Sequence, residues 1–334
     1  MVLILSEEND FSTNSVLDYF IYNDKAVKRY NGPSKNEGNI SLNLNNFFFK
    51  IELGQTESIT LLGKKEKTEI NVSNVWFRRP FGGVSDFNIS LNTYDNLINK
   101  NSIHKSILDN YKIFKDYLFD NITRKPLGSY TITGLNKLKT LGLAREVGLK
   151  IPDTIITNNY DDVVQFFLKS KNGLISKAIH EAYADKSNIG EDFWISNKTI
   201  SINSLGEIPN SFGPSIFQEN IQKKYEIRVF FLDGDFYSSC IFSQSNEKTK
   251  VDFRNYDQKR PNRITPYKLP EKVENKIKKL MSILDLNTGS IDLIKNKKNQ
   301  YVFLEINPVG QFGFVSRSCN FNIDSEIYNY LNNE

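Results

Sequence analysis

Gly289-Ser-Ile-Asp-Leu-Ile294 and Tyr301-Val-Phe-Leu-Glu-Ile-Asn-Pro308, joined by the Lys/Asn-rich turn Lys295 to Asn299, decide how this chain is read. In both runs β-branched and aromatic residues alternate with the others, as in the two strands of a hairpin. Side chains on a strand point alternately to opposite faces, so Ser290 and Asp292 share one face. On the second strand Tyr301, Phe303, Glu305 and Asn307 share one, which leaves Ile291, Leu293, Val302, Leu304 and Ile306 as core. A two-residue turn at Lys298-Asn299 sets Asp292 directly across from Glu305, with Cβ atoms about 5 Å apart. Two carboxylates that close repel each other unless a cation joins them.

An Asp, a Glu and an Asn amide oxygen converging on one spot suit Mg²⁺, which keeps some waters and takes its remaining ligands from substrate phosphates. A nucleotide is thereby implied. The hairpin alone also suits an exposed turn whose acidic residues face water. Glu305-Ile-Asn-Pro308 favours the metal, because polar residues interrupt an apolar strand end at same-face spacing.

With 334 residues the chain exceeds the roughly 250 to 300 at which single cores stop growing, so two or three subdomains are expected. A composition 39% hydrophobic and 25% charged is that of a soluble globular protein. The net charge of +4 is small and makes no case for nucleic acid, although local basic clusters suit phosphates or an acidic peptide. Cys240 and Cys319 are the two cysteines, too few for a disulfide framework, and a reducing cytoplasm is the expected compartment. The apolar opening Met1 to Ser6 is too short for a signal peptide, and no run approaches the ~20 apolar residues of a membrane span.

The amino-terminal pattern is α/β: a strand at Val2 to Leu5, a helix from about Thr13 to Phe20, a hairpin of Phe47 to Glu52 with Ser58 to Leu62, and a strand from Asn74 to Pro80. Arg78 and Arg79 at its end suit either an anionic ligand or a solvated strand terminus. Helical spacing from Thr93 to Phe119 closes a first domain of residues 1–120. Gly134 to Val147 and Tyr160 to Leu168 read as helices, and Gly173 to Ile179 as a strand interrupted by Lys177. A lysine there needs an anionic partner, since burying an unpaired ammonium is costly. Residues 121–214 form a second unit and 215–334 a third. The third holds an extended Ser215 to Ile221, two strands turning at Asp233-Gly234 with Glu226 and Arg228 on one face, a strand end at Val251 to Asp257, a basic loop from Lys259 to Lys268 and a helix from Glu271 to Leu284.

Asn136-Lys137-Leu138, Ile175-Ser-Lys177, Phe217-Gln-Glu-Asn-Ile221, Tyr225-Glu-Ile-Arg228 and Asp292 with Glu305-Ile-Asn307, in this order, resemble the ATP-grasp superfamily. Ile4 to Asn14, Val75-Trp-Phe-Arg-Arg-Pro80 and Asp252-Phe-Arg-Asn-Tyr-Asp257 narrow the likeness to the grasp-with-spasm, microviridin-type maturases of ribosomal peptides, the graspetide macrocyclases. The resemblance implies an ATP-grasp fold of α/β (α+β) class behind an amino-terminal pre-ATP-grasp domain. It implies that Lys137 and Lys177 hold ATP phosphates, that Gln218, Glu219, Asn220 and Ile221 supply adenine contacts, and that Glu226 binds the ribose. Asp292, Glu305 and Asn307 would hold Mg²⁺, while Arg254 and Arg228 face the transferring phosphoryl group or the acceptor carboxylate. Lysine acts on phosphate as a point charge and arginine offers carboxylates a fork, which agrees with these roles. One departure is that the segment 178–190, where relatives carry a Gly-rich phosphate flap, has only Gly190.

The implied chemistry is ATP-dependent activation of a carboxylate as an acylphosphate, then attack by a nucleophile. Positioning and charge stabilisation suffice for it, and the sequence shows no Ser/His/Asp constellation. The expected partner is a ribosomal precursor peptide, leader and core, whose Asp or Glu side chains are joined to Ser/Thr or Lys; Arg78, Arg79 and Arg263 are candidate peptide contacts, Arg263 with a solvated loop as its alternative. A homodimer is expected from the resemblance alone, with neither nucleic acid nor membrane as partner. Two other readings stand beside this one: a ligase adding a free amino acid to a protein or peptide, and a nucleotide-binding protein without turnover.

Overall fold

The computed structural model describes residues 1–31, 42–43, 47–53, 58–64, 71–79, 84–85, 100–177, 179, 200–253 and 257–333. In chain order the first part runs β1 (Val2–Ser6), a helix (Phe11–Tyr22), β2 (Val27–Asn31), β3 (Leu42–Asn43), β4 (Phe47–Glu52), β5 (Ser58–Gly63), β6 (Asn74–Phe77), β7 (Val84–Ser85) and a helix (Lys100–Asn121). β1 is the centre of a parallel sheet ordered β2-β1-β6. All five of its residues are buried, as a parallel strand covered on both faces requires. Val2 and Ile4 join one core, while Leu3 and Leu5 join another with Phe77, Leu118 and Phe119.

The second part holds a helix (Lys137–Glu146), β8 (Thr154–Thr157), a helix (Tyr160–Lys169), β9 (Leu174–Lys177), β10 (Ile200–Ile202) and β11 (Ser215–Glu219). These strands make an antiparallel sheet ordered β10-β9-β11-β8 over a small core around Val163, Leu174 and Phe217. The third part is β12 (Lys223–Leu232), β13 (Asp235–Phe242), β14 (Arg263–Tyr267), a helix (Glu271–Ile283), β15 (Thr288–Asn296), β16 (Tyr301–Asn307) and helices Gly313–Cys319 and Ile323–Asn332. Its antiparallel sheet is ordered β14-β13-β12-β15-β16. Ile227, Val229, Ile291, Leu293 and Phe303 pack beneath it against Leu141, Ile277 and Leu280, each contributing about 1.5 to 3 kcal/mol of burial.

The last helices pack back on the amino-terminal sheet, where Ile323, Ile327 and Leu331 share a core with Ile4, Val16 and Phe20. Two expectations are corrected. Val251, Asp252 and Phe253 are irregular backbone rather than a strand, and the basic segment 259–268 contains β14. The helix expected from Thr93 is described from Lys100, and the turn Gly54-Gln55 lies outside the described residues.

The hairpin β15–β16 reaches its expected pairing by an unexpected route. Asn296 N donates to the Gln300 carbonyl at 3.0 Å, so the turn has three residues, with Asn299 at φ +61°. A two-residue turn was the expectation, and the longer one shifts the strands by one residue. A β-bulge at Leu304, between the pairs Leu293–Phe303 and Asp292–Glu305, shifts them back. Phe303 therefore packs in the core and Leu304 lines the cleft, the reverse of strict alternation, while Asp292 still faces Glu305.

Candidate active site

A cleft enclosing about 760 Å³ of space, solvent at its mouth included, lies between the four-stranded and five-stranded sheets. Lys177, the last residue of β9, enters it from the first sheet, opposite Ile216 of β11. Gln218 of β11 lines it too, although its amide Nε2 donates to Thr154 Oγ1 at 3.0 Å. The crossing segment Glu219, Asn220 and Ile221 forms one wall. Its backbone is tied down on both sides: Glu219 N donates to the Asp153 carbonyl and Asn220 N to that of Gly173. Asp153 N in turn donates to Glu219 Oε1 at 3.3 Å, so that side chain braces the segment.

From the five-stranded sheet, Glu226, Asp292, Leu304 and Glu305 face the cleft. Glu226 is buried and receives the Lys223 ammonium and, at 2.9 Å, the Ser243 hydroxyl. Both bonds fall on Oε1, and Oε2 carries neither. Burial raises the Glu226 pKa above its ordinary value, with Lys223 and Ser243 working against the shift and Asp252 adding to it. Lys223 also donates to the Val251 carbonyl at 2.8 Å. Nothing in the sequence pattern pointed to Lys223. On a regular strand it and Glu226 would point to opposite faces, and the register shift between Lys223 and Tyr225 lets them meet.

Asp292 and Glu305 stand across from each other on β15 and β16, and Asp292 is paired with the guanidinium of Arg228. Arg228 is Asp292's neighbour on β12, and its Nη1 donates to both carboxylate oxygens at 2.8 and 2.7 Å. The Arg228 Nε is buried with no hydrogen-bond partner. Asn307, two residues beyond Glu305, is exposed, and its Oδ1 accepts from Val309 N at 3.1 Å. Among the described residues no cluster of three His, Cys, Asp or Glu side chains is placed to hold a metal ion. A cation at this spot would have two facing carboxylates and would draw its other oxygens from water or phosphate, which is the coordination habit of Mg²⁺.

The remaining candidates do not line the cleft. Lys137 is half-buried at the start of its helix, just after the Asn136 cap. Arg78 is enclosed at the amino-terminal sheet in an ion pair with Asp10, so its anionic partner is the chain itself. Arg79 is half-buried beside it, and its backbone N donates to the Leu5 carbonyl at 2.7 Å. Arg263 is exposed on β14 with its guanidinium over the Phe242 ring. Arg254 and the segment 180–190, with His180, lie outside the described residues.

Comparison with known proteins agrees with this geometry. The chain is 24% identical over 244 residues, 71% of its length and 83% of the relative's, to the alpha-aminoadipate–LysW ligase LysX of Sulfolobus acidocaldarius. Its fold is similar to that of a RiPP-associated ATP-grasp ligase of Chryseobacterium gregarium, solved with ADP and a leader and core peptide, at a TM-score of 0.71 and 23% identity over 99% of this chain and 94% of that one. It is also similar to the macrocyclase MdnC of Microcystis aeruginosa MRC, solved with precursor peptide MdnA, at a TM-score of 0.69 and 23% identity over the full length of both. The pattern of the RimK-like ATP-grasp domain matches residues 134–331, which take in both sheets flanking the cleft, and the chain therefore belongs to that family.

Proposed function

We propose that this protein is an ATP-dependent, ADP-forming macrocyclase of a ribosomal precursor peptide. It would activate Asp or Glu side chains as acylphosphates and close side-chain ester or amide rings. The observation that carries the reading is the facing pair Asp292 and Glu305 in a cleft that Lys177 enters from the opposite sheet. Likeness over 99 to 100% of the chain to ligases solved with precursor peptides, amino-terminal sheet included, supports a peptide as acceptor.

In this reading adenine lies against Gln218 to Ile221, and Glu226 Oε2 accepts from the ribose. Lys177 and Lys137 serve the phosphates as point charges. Mg²⁺, held by Asp292 and Glu305 with Asn307 close by, would neutralise phosphate charge when bound. Arg228 orients Asp292 and takes up its charge until nucleotide arrives. Arg254 is assigned to the acceptor carboxylate, with Arg79 and Arg263 as outlying peptide contacts. The carboxylate oxygen attacks the γ-phosphorus and ADP leaves. A Ser/Thr hydroxyl or Lys amine then attacks the acyl carbon, the bond from that carbon to the phosphate oxygen breaks and inorganic phosphate leaves with its electron pair, and the nucleophile's proton is released. The three-part division at 120 and 214, a homodimer and a cytoplasmic location complete the proposal.

A second reading, addition of a free amino acid, is favoured by the likeness to LysX. Mass spectrometry of the precursor peptide after incubation with protein, ATP and Mg²⁺ separates the two. Cyclisation removes one water mass per bond and stops when the acceptor Asp or Glu is changed to Asn or Gln. A product heavier by one residue, or water loss that persists without the acidic side chains, sinks the macrocyclase reading.

A further inference from the structure

Arg78 lies just past β6, on the amino-terminal sheet and away from the cleft, and is 4% exposed. Its Nε donates to Asp10 Oδ2 at 2.7 Å. Nη1 donates to the Val309 and Gly310 carbonyls at 2.7 and 3.1 Å, and the guanidinium stands over the Phe312 ring. Asp10 is itself fixed, since it caps the first helix through Ser12 N and accepts from Thr13 Oγ1. A buried arginine needs a carboxylate for its charge, and Asp10 supplies one. The two carbonyls are a further grip, and they belong to the turn that leaves β16 just after Glu305 and Asn307.

That turn is tied to the site by short bonds. Val309 N donates to Asn307 Oδ1 and Gly310 N to the Asn307 carbonyl, each at 3.1 Å. Ser290 Oγ, on β15 two residues before Asp292, donates to the Gln311 carbonyl at 3.3 Å. The amino-terminal part holds the same turn a second time through Ser12 Oγ, which donates to Gln311 Oε1 at 2.7 Å. There is no slack: a Cβ on Gly310 would stand 2.3 Å from Ser290 Cβ.

We infer that Arg78 is a positioning residue, through which the amino-terminal sheet sets the turn after β16 and with it the Glu305 and Asn307 oxygens that meet a nucleotide-bound cation. The inference rests on the nucleotide and cation part of the proposed function and is independent of the acceptor. Arg78 suits the task because a planar fork donates in several fixed directions at once, to Asp10 and to two carbonyls, which an ammonium on a flexible stem does not reproduce. It also replaces the expectation that Arg78 contacts the peptide.

The test uses the full-length protein and ADP calorimetry with and without Mg²⁺, with a melting curve for each variant. Arg78→Lys keeps a cation for Asp10 and gives up the fork. Its Mg²⁺-free ADP affinity is expected within about twofold of wild type, while the gain on adding Mg²⁺ falls about 10-fold or more, as when a partner that orients metal ligands is removed. Gly310→Ala disturbs the same turn from its other side, at Ser290, and leaves the Arg78 and Asp10 side chains unchanged. It is expected to lose the same gain, and it stands in if Arg78→Lys does not fold. Val16→Ala, in the same amino-terminal core, is expected to lower the melting temperature and leave the gain intact. A folded Arg78→Lys or Gly310→Ala protein with the wild-type gain overturns the inference. So does loss of the gain in Val16→Ala, or a wild-type protein whose ADP affinity Mg²⁺ does not change. A wild-type protein that shows the gain and makes no rings overturns the macrocyclase reading alone.

Discussion

The two walls of the cleft solve the problem of charge in different ways. On the five-stranded side two cations of β12 have carboxylate partners inside the sheet: Lys223 on Glu226, Arg228 on Asp292. That sheet rests on the larger core of Ile227, Val229, Leu293 and Phe303. On the four-stranded side the core is smaller and Lys177 sits at the end of a four-residue strand. One wall is thus a preorganised set of carboxylates, two of them held by cations of the same sheet, and the other adds a lysine to the cleft. Preorganised charge stabilises phosphoryl transfer without reorganisation at the moment of reaction.

The largest effect that breaks this contrast is expected at the acid pair. Asp292→Ala and Glu305→Ala should each lower ATP turnover at least ~10²-fold in a coupled ADP assay. They should differ in stability. Removing the buried Asp292 leaves the largely enclosed Arg228 without its carboxylate and should cost about 3 kcal/mol, whereas removing the more exposed Glu305 should cost less. Repulsion between the two carboxylates alone would predict equal or higher stability for both, so the melts decide which force rules the pair.

Next comes the other ion pair. Lys223→Met leaves Glu226 buried without its cation and should destabilise the fold by roughly 3 to 5 kcal/mol in urea titrations. Exchanging both partners, Lys223→Met with Glu226→Leu, should recover much of that loss, because a well-packed apolar pair can replace a buried salt bridge. Failure of the double variant to recover would show that the pair is needed for the shape of the sheet.

On the opposite wall, Lys177→Met should weaken ADP binding by about 10- to 100-fold, the value of one or two charge-assisted bonds. Lys298→Met, in the exposed β15–β16 turn, should change it by less than about twofold. Equal affinities for the two variants would remove Lys177 from the phosphate site.

The smallest expected effect lies in acid. Burial opposes the charge on Asp10, but Arg78 outweighs it and holds the carboxyl below its ordinary value of 3.8. A depressed folded-state pKa means stability that is complete above 3.8 and lost as pH falls through the lower folded value. Glu226 has the opposite sign: its raised pKa makes ionisation a burden on the fold that is absent below 4.5 and grows as pH rises through the folded value. Urea midpoints of Asp10→Asn should therefore fall less steeply below about pH 4 than those of wild type. Parallel acid limbs would show that Arg78 does not depend on Asp10 being charged.

Alternation and turn chemistry made most elements legible. The apolar run Val2 to Leu5, the Asp233-Gly234 turn and the helix pattern after Glu271 each depend on neighbours a few residues away, and each stands where expected. Asp292 opposite Glu305 was legible too, though by compensation, since the extra turn residue and the extra residue at Leu304 cancel. Three of the misses share one cause. Phe303 in the core, Leu304 in the cleft and Lys223 beside Glu226 all follow from β-bulges, which break the two-residue period on which the reading depends.

From the sequence by itself came the acidic hairpin and the lysine of β9, which rest on local periodicity and residue chemistry, and the order of motifs, which rests on its resemblance to the ATP-grasp superfamily. Only the tertiary structure decided which charges answer one another. Arg228 meets Asp292 across 64 residues and Arg78 meets the turn at Val309 across 231, and such pairings depend on strand order and on the return of the last helices to the first sheet. Residue type announces that a buried charge needs a partner, and the folded path of the chain chooses which one.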